Sequence, residues 1–248
     1  VTVLAAGRQV GGKARLRAAL PGGESLSSVY DYQQAAATRA GVQLAFGVTA
    51  DTRTVLDLRP DAVVLACGAD MVAPLWLPPA AREFVPDLRT AVAGLLGVTA
   101  RQPGTAVVFD MDHTEGTYAA VEMLHRLFER VVIVTPREAI ARDTSVVTRQ
   151  GILRRLSEKR IEVITLGEPR WSAGVEDGRL DVAHVYTGEV RTIEDLAVLT
   201  YATPRTPNDA LLLPLQQAGL AVHVVGDCRN ARGVFAATTE GSAAGMAL

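Results

Sequence analysis

Several short runs of this chain are apolar at successive positions instead of alternate ones: "DAVVLACGA", "TAVVFD", "VVIVT" and "LAVHVVGD". A strand with one wet face alternates, because successive side chains point to opposite sides. A run without alternation belongs to a strand covered on both faces, the usual state of a parallel strand in an α/β protein. Longer Ala- and Leu-rich segments lie between these runs, and "ESLSSVYDYQQAAATRAG" reads as a helix ending at Gly41. The alternation predicts a three-layer α/β fold with parallel sheets.

Composition narrows the class. With 48% hydrophobic residues in 248, the chain can bury one large or two small cores. The net charge is −2 with both signs mixed, so neither a basic stripe for nucleic acid nor an acidic tail is present. The apolar runs fall far short of the ~20 residues that span a membrane. The two cysteines, Cys67 and Cys228, are far apart in sequence and belong to no CxxC or Cys/His cluster. That pattern argues against a disulfide framework or zinc site and for a reducing, cytoplasmic setting. The chain starts at Val1 inside a strand-like run, and reads as a fragment or a mature product.

Along the chain, "VTVLA" and "VQLAFGV" read as the first strands, and "MVAPLWLPPAAREFVPDL" as a proline-rich connector. A second α/β block begins at "TAVVFDMDH", continues through a helix near Tyr118–Phe128 and another at "VVTRQGILRRLSEK", and reaches the strand "IEVIT". Turn signals at Glu176–Gly178 and Gly188 predict an antiparallel meander between Trp171 and Arg191. "DLAVLTYATPRTPND" leads out of the block, "DALLLPLQQAG" is a helix, and "ARGVFAATTEGSAAGMAL" is a closing helix. The expected division is 1–71 with 206–248 as one discontinuous domain, 72–103 as a connector, and 104–205 as an inserted domain.

Two motifs sit at strand ends, where open α/β sheets bind ligands. "GRQVGGK" follows the first strand; its paired glycines permit either an ordinary tight turn or close approach of a ligand. "VVGDCRN" ends a late strand in Gly226 and Asp227, and Asp227 reads as a helix N-cap or a ligand-binding acid.

Together, "VTVLAAGRQVGGKARLRAALPG", "GVTAD", "DAVVLACGA", "TPNDALLLPL" and "GDCRNARGVFAATTEGSAAG" occur in order and cover nearly the whole chain. The chain resembles the C-terminal FAD/NAD(P)-like region of the iron–sulfur flavoproteins that include 2,4-dienoyl-CoA reductase, trimethylamine dehydrogenase and related Old Yellow Enzyme-type NADH:flavin oxidoreductases. The resemblance implies glutathione-reductase-like folds. It also implies that a barrel carrying FMN and a 4Fe-4S cluster, followed by a glycine-rich βα turn, precedes this chain in its parent. Hydride transfer would occur at that FMN, in an amine dehydrogenase or an enoyl- or dienoyl-CoA reductase, and this chain would hold no catalytic residue.

Carried over by position, the resemblance places Gly11, Gly12, Lys13, Gly23, Val48, Ala66, Gly68, Gly226 and Asp227 along FAD or ADP. Lys13, where the family often has glutamine, would meet a phosphate or be solvated. Val48 would contribute its backbone. Cys67 stands where the family usually has threonine, and Asp227 would bond ribityl or phosphate-side hydroxyls. The acidic residue that normally binds the adenosine ribose is replaced by Ala5.

A nicotinamide dinucleotide in the second block would need a GxGxxG turn. The sequence there is "DMDHTEGTYAAVEML", with Gly116 alone and with Asp110 and Asp112 set to repel a pyrophosphate. NAD(P) binding by 104–205 is therefore not expected, as in the trimethylamine dehydrogenase-like branch. Two other readings stand beside this one. In the first, both nucleotide sites are degenerate and the chain is a non-catalytic α/β module. In the second, "VVFDMDHT" is the nucleophile motif of a haloacid dehalogenase-like phosphatase, with Asp110 as nucleophile, Asp112 as acid/base, Thr135, Lys159, and Asp227 as magnesium ligand. Against the phosphatase, Ala231 and Arg232 stand where a second metal carboxylate is needed, and the first hundred residues would be idle. The bland reading of Asp110 and Asp112 is a solvated strand end. His113, His125, His184 and His223 lack metal-ligand spacing, and Trp76 and Trp171 read as packing anchors.

Overall fold

A computed structural model describes residues 1–248. The chain opens with β1 (Thr2–Ala5), α1 (Gly12–Ala18), α2 (Ser27–Arg39), β2 (Gln43–Phe46), α3 (Thr52–Asp57), β3 (Ala62–Leu65) and β4 (Ala69–Met71). It continues with α4 (Leu88–Leu95), β5 (Gln102–Asp110), α5 (Glu115–Leu127), β6 (Phe128–Val134), α6 (Val146–Glu158) and β7 (Glu162–Ile164). Then come β8 (Gly167–Arg170), β9 (Leu180–His184), β10 (Val190–Ile193), β11 (Leu196–Ala202), β12 (Arg205–Pro207), α7 (Leu212–Gln217), β13 (Ala221–Val224) and α8 (Val234–Ala247). These elements form two compact units. Unit 1 comprises Val1–Arg15, Ser25–Met71 and Arg205–Leu248; unit 2 comprises Leu16–Glu24 and Val72–Pro204.

Unit 2 is built on a parallel sheet in the order β11-β5-β6-β7. Its two inner strands carry the continuous apolar runs, and Val107, Val108, Val132 and Ile133 are fully buried. Such strands need cover on both faces. Buried residues of α4 (Val92), α5 (Tyr118, Leu124) and α6 (Ile152) share this core. A three-stranded antiparallel meander, β10-β9-β8, follows. Its turns use Gly178 and Gly188 in the left-handed region, at φ 76° and 72°.

Two expectations change here. "DLAVLTYA" does not lead out of the block. It forms β11, parallel to β5, with Leu199 opposite Val107 and Tyr201 opposite Phe109. The partner strand lies far upstream, so nothing local to the segment marks it as part of this sheet. The proline-rich stretch is also more than a passage. Leu77, Val85, Leu88 and Val92 are buried, and Trp76 packs edge-on against Phe109 with ring centroids 5.5 Å apart.

Unit 1 is built differently. It contains two parallel pairs, β1·β2 and β3·β13, which belong to separate two-stranded sheets, plus the antiparallel pair β4·β12. Its small core holds Val55, Leu65, Leu215 and Cys228, with Val63, Leu220, Val222 and Val224 packed against them. No residue of α1 or α2 is buried. Val3 on β1 and Val64 on β3 are exposed, although both lie in apolar runs. The carboxyl ends of β3 and β13 lie side by side, with Leu65 opposite Val224. That register sets the stage for the site.

Candidate functional site

In unit 1 the parallel strands deliver three glycine-containing turns. After β1, Gly11 (φ 102°) turns the chain into α1; a Cβ there would come within 2.9 Å of the Tyr30 ring. Arg15 lies over that ring, 4.3 Å from its centroid, and donates from Nε to the Val10 carbonyl at 2.8 Å. Gly12 opens α1 with open space around its Cα. After β3, Ala66 and Cys67 are exposed and Gly68 adopts φ 78°. After β13, Gly226 adopts φ 63° and starts a short 3-10 turn that also holds Asp227 and Cys228.

Lys13 reaches from the first turn to the second. Its Nζ donates to the Ala69 carbonyl and lies 3.6 Å from where a Cβ on Gly68 would be. The ammonium thus lies among bare backbone at the end of β3. Of the expected residues, Lys13 and Gly68 are brought together; Gly226 and Asp227 stand at the adjacent strand end. Val48 donates its backbone N–H to the Ala5 carbonyl at 3.0 Å, which extends the β1·β2 pairing to the position of the replaced acid. Gly23 belongs to unit 2, where a Cβ would lie 1.9 Å from the Arg17 carbonyl oxygen. Close backbone packing accounts for that glycine without a ligand.

Asp227 is held by protein groups. Arg205 Nη1 is 3.0 Å from its Oδ2, and the Arg232 N–H donates to its Oδ1 at 3.0 Å. A carboxylate offers about four acceptor positions, so two remain. Glu240 on α8 accepts the Gly226 N–H at 2.8 Å and pairs with Arg229 and Arg232. Its hydrogen bonds from Arg232 and Gly226 hold its pKa below the ordinary value. Sequence reasoning did not select Asn208. It donates from Nδ2 to Asp70 at 3.0 Å, and its N–H donates to the Gly68 carbonyl at 2.9 Å. Asn208 sits in the "TPND" motif, which was the available signal.

In unit 2 the end of β5 is not a solvated strand end. Asp110 is fully buried and Asp112 nearly so. Asp110 Oδ1 accepts the backbone N–H groups of Asp112 at 3.2 Å and His113 at 3.0 Å. Its Oδ2 accepts the Tyr118 hydroxyl at 2.6 Å. Burial pushes the Asp110 pKa up, against the pull of His113 and these donors. Burial together with Asp110 also raises the Tyr118 phenol. His113 is buried in the left-handed region (φ 53°), with Nε2 3.2 Å from the Thr135 hydroxyl. Burial lowers its pKa. Asp112 accepts the hydroxyls of Thr114 and Thr117. This closed network leaves no face of Asp110 for a phosphorus electrophile. Lys159, the cation of the phosphatase reading, pairs with Glu122 at 3.1 Å.

Both cysteines are free and lie in unit 1, near the ends of the paired strands β3 and β13, with Cys67 exposed and Cys228 buried.

No family model matches the chain. Over 249 aligned residues it is 28% identical to an NADH oxidase of Thermoanaerobacter brockii, covering 94% of this chain and 35% of that protein. The chain is thus similar in sequence to part of that NADH oxidase. It spans about a third of that relative's length. A shorter stretch is 40% identical over 68 residues to an N,N-dimethylglycine/sarcosine dehydrogenase of Chromohalobacter salexigens, covering 27% of this chain and 10% of that protein. Among solved structures, histamine dehydrogenase from Rhizobium sp. 4-9 superposes with a TM-score of 0.81 at 22% identity, covering 98% of this chain and 39% of that one. Lactococcus lactis thioredoxin reductase superposes with a TM-score of 0.69 at 18% identity, covering 99% of this chain and 88% of that one. The fold is thus of the FAD/NAD-binding, glutathione-reductase-like kind.

Proposed function

We propose that this chain is the nucleotide-binding and structural portion of a larger FMN- and iron–sulfur-dependent flavin oxidoreductase. In this reading unit 1 holds FAD or ADP, and hydride transfer takes place at FMN in a barrel outside residues 1–248. A reducing, cytoplasmic setting goes with it. The observation that carries the reading is the end of β3, where Lys13 is held against the Gly68–Ala69 backbone. Bare backbone with a fixed ammonium suits a pyrophosphate, because a side chain at Gly68 would occupy its place. Gly226 and the remaining acceptor positions of Asp227 suit a polyol on the neighbouring strand end. When bound, a flavin would supply electron transfer; the chain's own residues would bind and orient it. With Cys67 and Cys228 as its only cysteines, this chain does not supply the four thiolates usual for a 4Fe-4S cluster.

Unit 1 itself supports a partner segment. The separate pairs β1·β2 and β3·β13 leave β1 and β3 each with one unpaired edge and an exposed valine. A central parallel strand from the rest of the parent would pair both edges and cover Val3 and Val64.

In unit 2 we propose no NAD(P) binding. The N–H groups of the β5–α5 turn, which would otherwise receive a phosphate, already donate to Asp110. A carboxylate thereby stands in for the anion within the chain.

The test is to purify the full-length parent and measure adenine nucleotide released on denaturation. FAD or ADP is expected near one per chain, and Gly68→Asp should abolish it while the parent still folds. Absence of adenine nucleotide from the parent would favour the non-catalytic module, the reading to which Ala5 lends support. Micromolar NADH binding lost on mutating Asp110 or Gly116 would overturn the reading of unit 2.

A further inference from the structure

The fold brings the two thiols, far apart in sequence, to the ends of neighbouring strands. β3 and β13 are parallel neighbours, and the Val225 N–H donates to the Leu65 carbonyl at 3.0 Å, so their pairing extends to the strand ends. Cys67 lies two residues beyond β3, and Cys228 closes the 3-10 turn after β13. Asn208 ties both: its Nδ2 donates to the Cys67 carbonyl at 3.4 Å, and Cys228 Sγ donates to the Asn208 carbonyl at 3.3 Å. The Asn208 N–H also donates to the Gly68 carbonyl at 2.9 Å, so this one residue spans the turn that holds Cys67 and the Cys228 sulfur. Cys67 is exposed, whereas Cys228 is buried beside Val55, Leu65 and Leu215.

We propose that Cys67 and Cys228 form an oxidisable dithiol that hydrogen peroxide converts to an intramolecular disulfide. Access sets the order of events. Peroxide reaches the exposed Cys67 first. The Cys67 thiolate attacks one peroxide oxygen, the O–O bond breaks, and sulfenic acid and hydroxide form; hydroxide takes up the thiol proton as water. The Cys228 sulfur then attacks the Cys67 sulfur. An S–S bond forms, the S–O bond breaks, and the hydroxyl leaves as water with the Cys228 proton. Two thiols and one peroxide give one disulfide and two waters; the two sulfurs together lose the two electrons that peroxide gains. The bridge joins the end of β3 to the turn after β13, and Cys228 loses its S–H donor to Asn208. Partial desolvation of the otherwise exposed Cys67 thiol, with Cys228 as a neighbour, holds it above its ordinary pKa, so the first step is slow at neutral pH and speeds up toward alkaline pH.

The proposal does not depend on nucleotide binding. Its test is intact mass after peroxide treatment of the native protein, followed by denaturation and iodoacetamide alkylation. The expected product is about 2 Da lighter, monomeric and unalkylated, and dithiothreitol restores two alkylation sites. Cys228→Ala should stop the reaction at a Cys67 sulfenic acid that dimedone traps, and Cys67→Ser should leave Cys228 unoxidised. Three results would overturn the proposal: no mass change after hours at pH 9, a Cys67 sulfinic acid with Cys228 still alkylated, or a disulfide between two chains.

Discussion

At the scale of single residues, the buried carboxylate of Asp110 is the acceptor that holds the β5–α5 turn together. It satisfies two backbone N–H groups and the Tyr118 hydroxyl, and Tyr118 in turn accepts the Ala141 N–H at 2.5 Å. Removing an acceptor leaves buried donors unpaired, at about 1–3 kcal/mol each. Asp110→Ala is therefore expected to destabilise unit 2 by about 3 kcal/mol or more in urea unfolding. Asp110→Asn, which keeps an oxygen for the two N–H groups, should cost clearly less; equal losses would show that the network does not matter. Glu122 on α5 makes a pH-dependent contribution. Burial works to raise its pKa, but Arg155 at 2.8 Å and Lys159 at 3.1 Å outweigh burial and leave it below 4.5. A carboxylate lowered by folding stabilises fully above its unfolded pKa, and that contribution is lost as pH falls through the folded value. The urea midpoint should thus decline below about pH 4.5, and Glu122→Gln should flatten that decline.

At the scale of elements, helix starts are settled by which side chains are free to cap them. Asp87 precedes α4 and accepts the N–H groups of Arg89 at 2.9 Å and Thr90 at 3.3 Å. Thr114 precedes α5 but its side chain caps no N–H; its hydroxyl points to Asp112 and donates to it. Asp87→Ala is expected to cost about 1 kcal/mol through lost capping, whereas Thr114→Ala removes no cap. Circular dichroism melts of the two variants compare them directly, and an equal loss would contradict the assignment. The strand β11 teaches a different lesson. Its pairing with β5 depends on a partner distant in sequence, so its place in a sheet was invisible to a local reading.

At the scale of the whole molecule, the two units differ in how fully they bury what they contain. Unit 2 has a four-stranded parallel sheet whose inner strands are fully buried at several positions. Unit 1 has two-stranded sheets, a small core, and a 13-residue helix, α2, without a buried residue. Backbone hydrogen bonds open most readily where apolar cover is thin. Hydrogen exchange should therefore be slowest in β5 and β6 and much faster in β1 and β2. Comparable protection in all four strands would show that unit 1 needs no further segment. Adding the proposed partner segment should slow exchange in β1 and β3 above all.

Sequence by itself determined the α/β class, most strands, most helices and the turns at Gly41, Gly178 and Gly188. These follow from periodicity and backbone sterics, which act over a few residues and are written in the local order of side chains. It also pointed to the glycine turns and to Asp227, because glycine at a strand end has a local steric reason. Only the tertiary structure decided which of these residues meet. Lys13 reaches Gly68 across strand ends, while Gly23 packs in the other unit against Arg17. Tertiary structure also turned Asp110 from an expected solvated end into a buried acceptor, and brought Cys67 and Cys228 to neighbouring strand ends around Asn208. Those outcomes depend on strand pairing and burial between distant segments, and no window of local sequence carries that information.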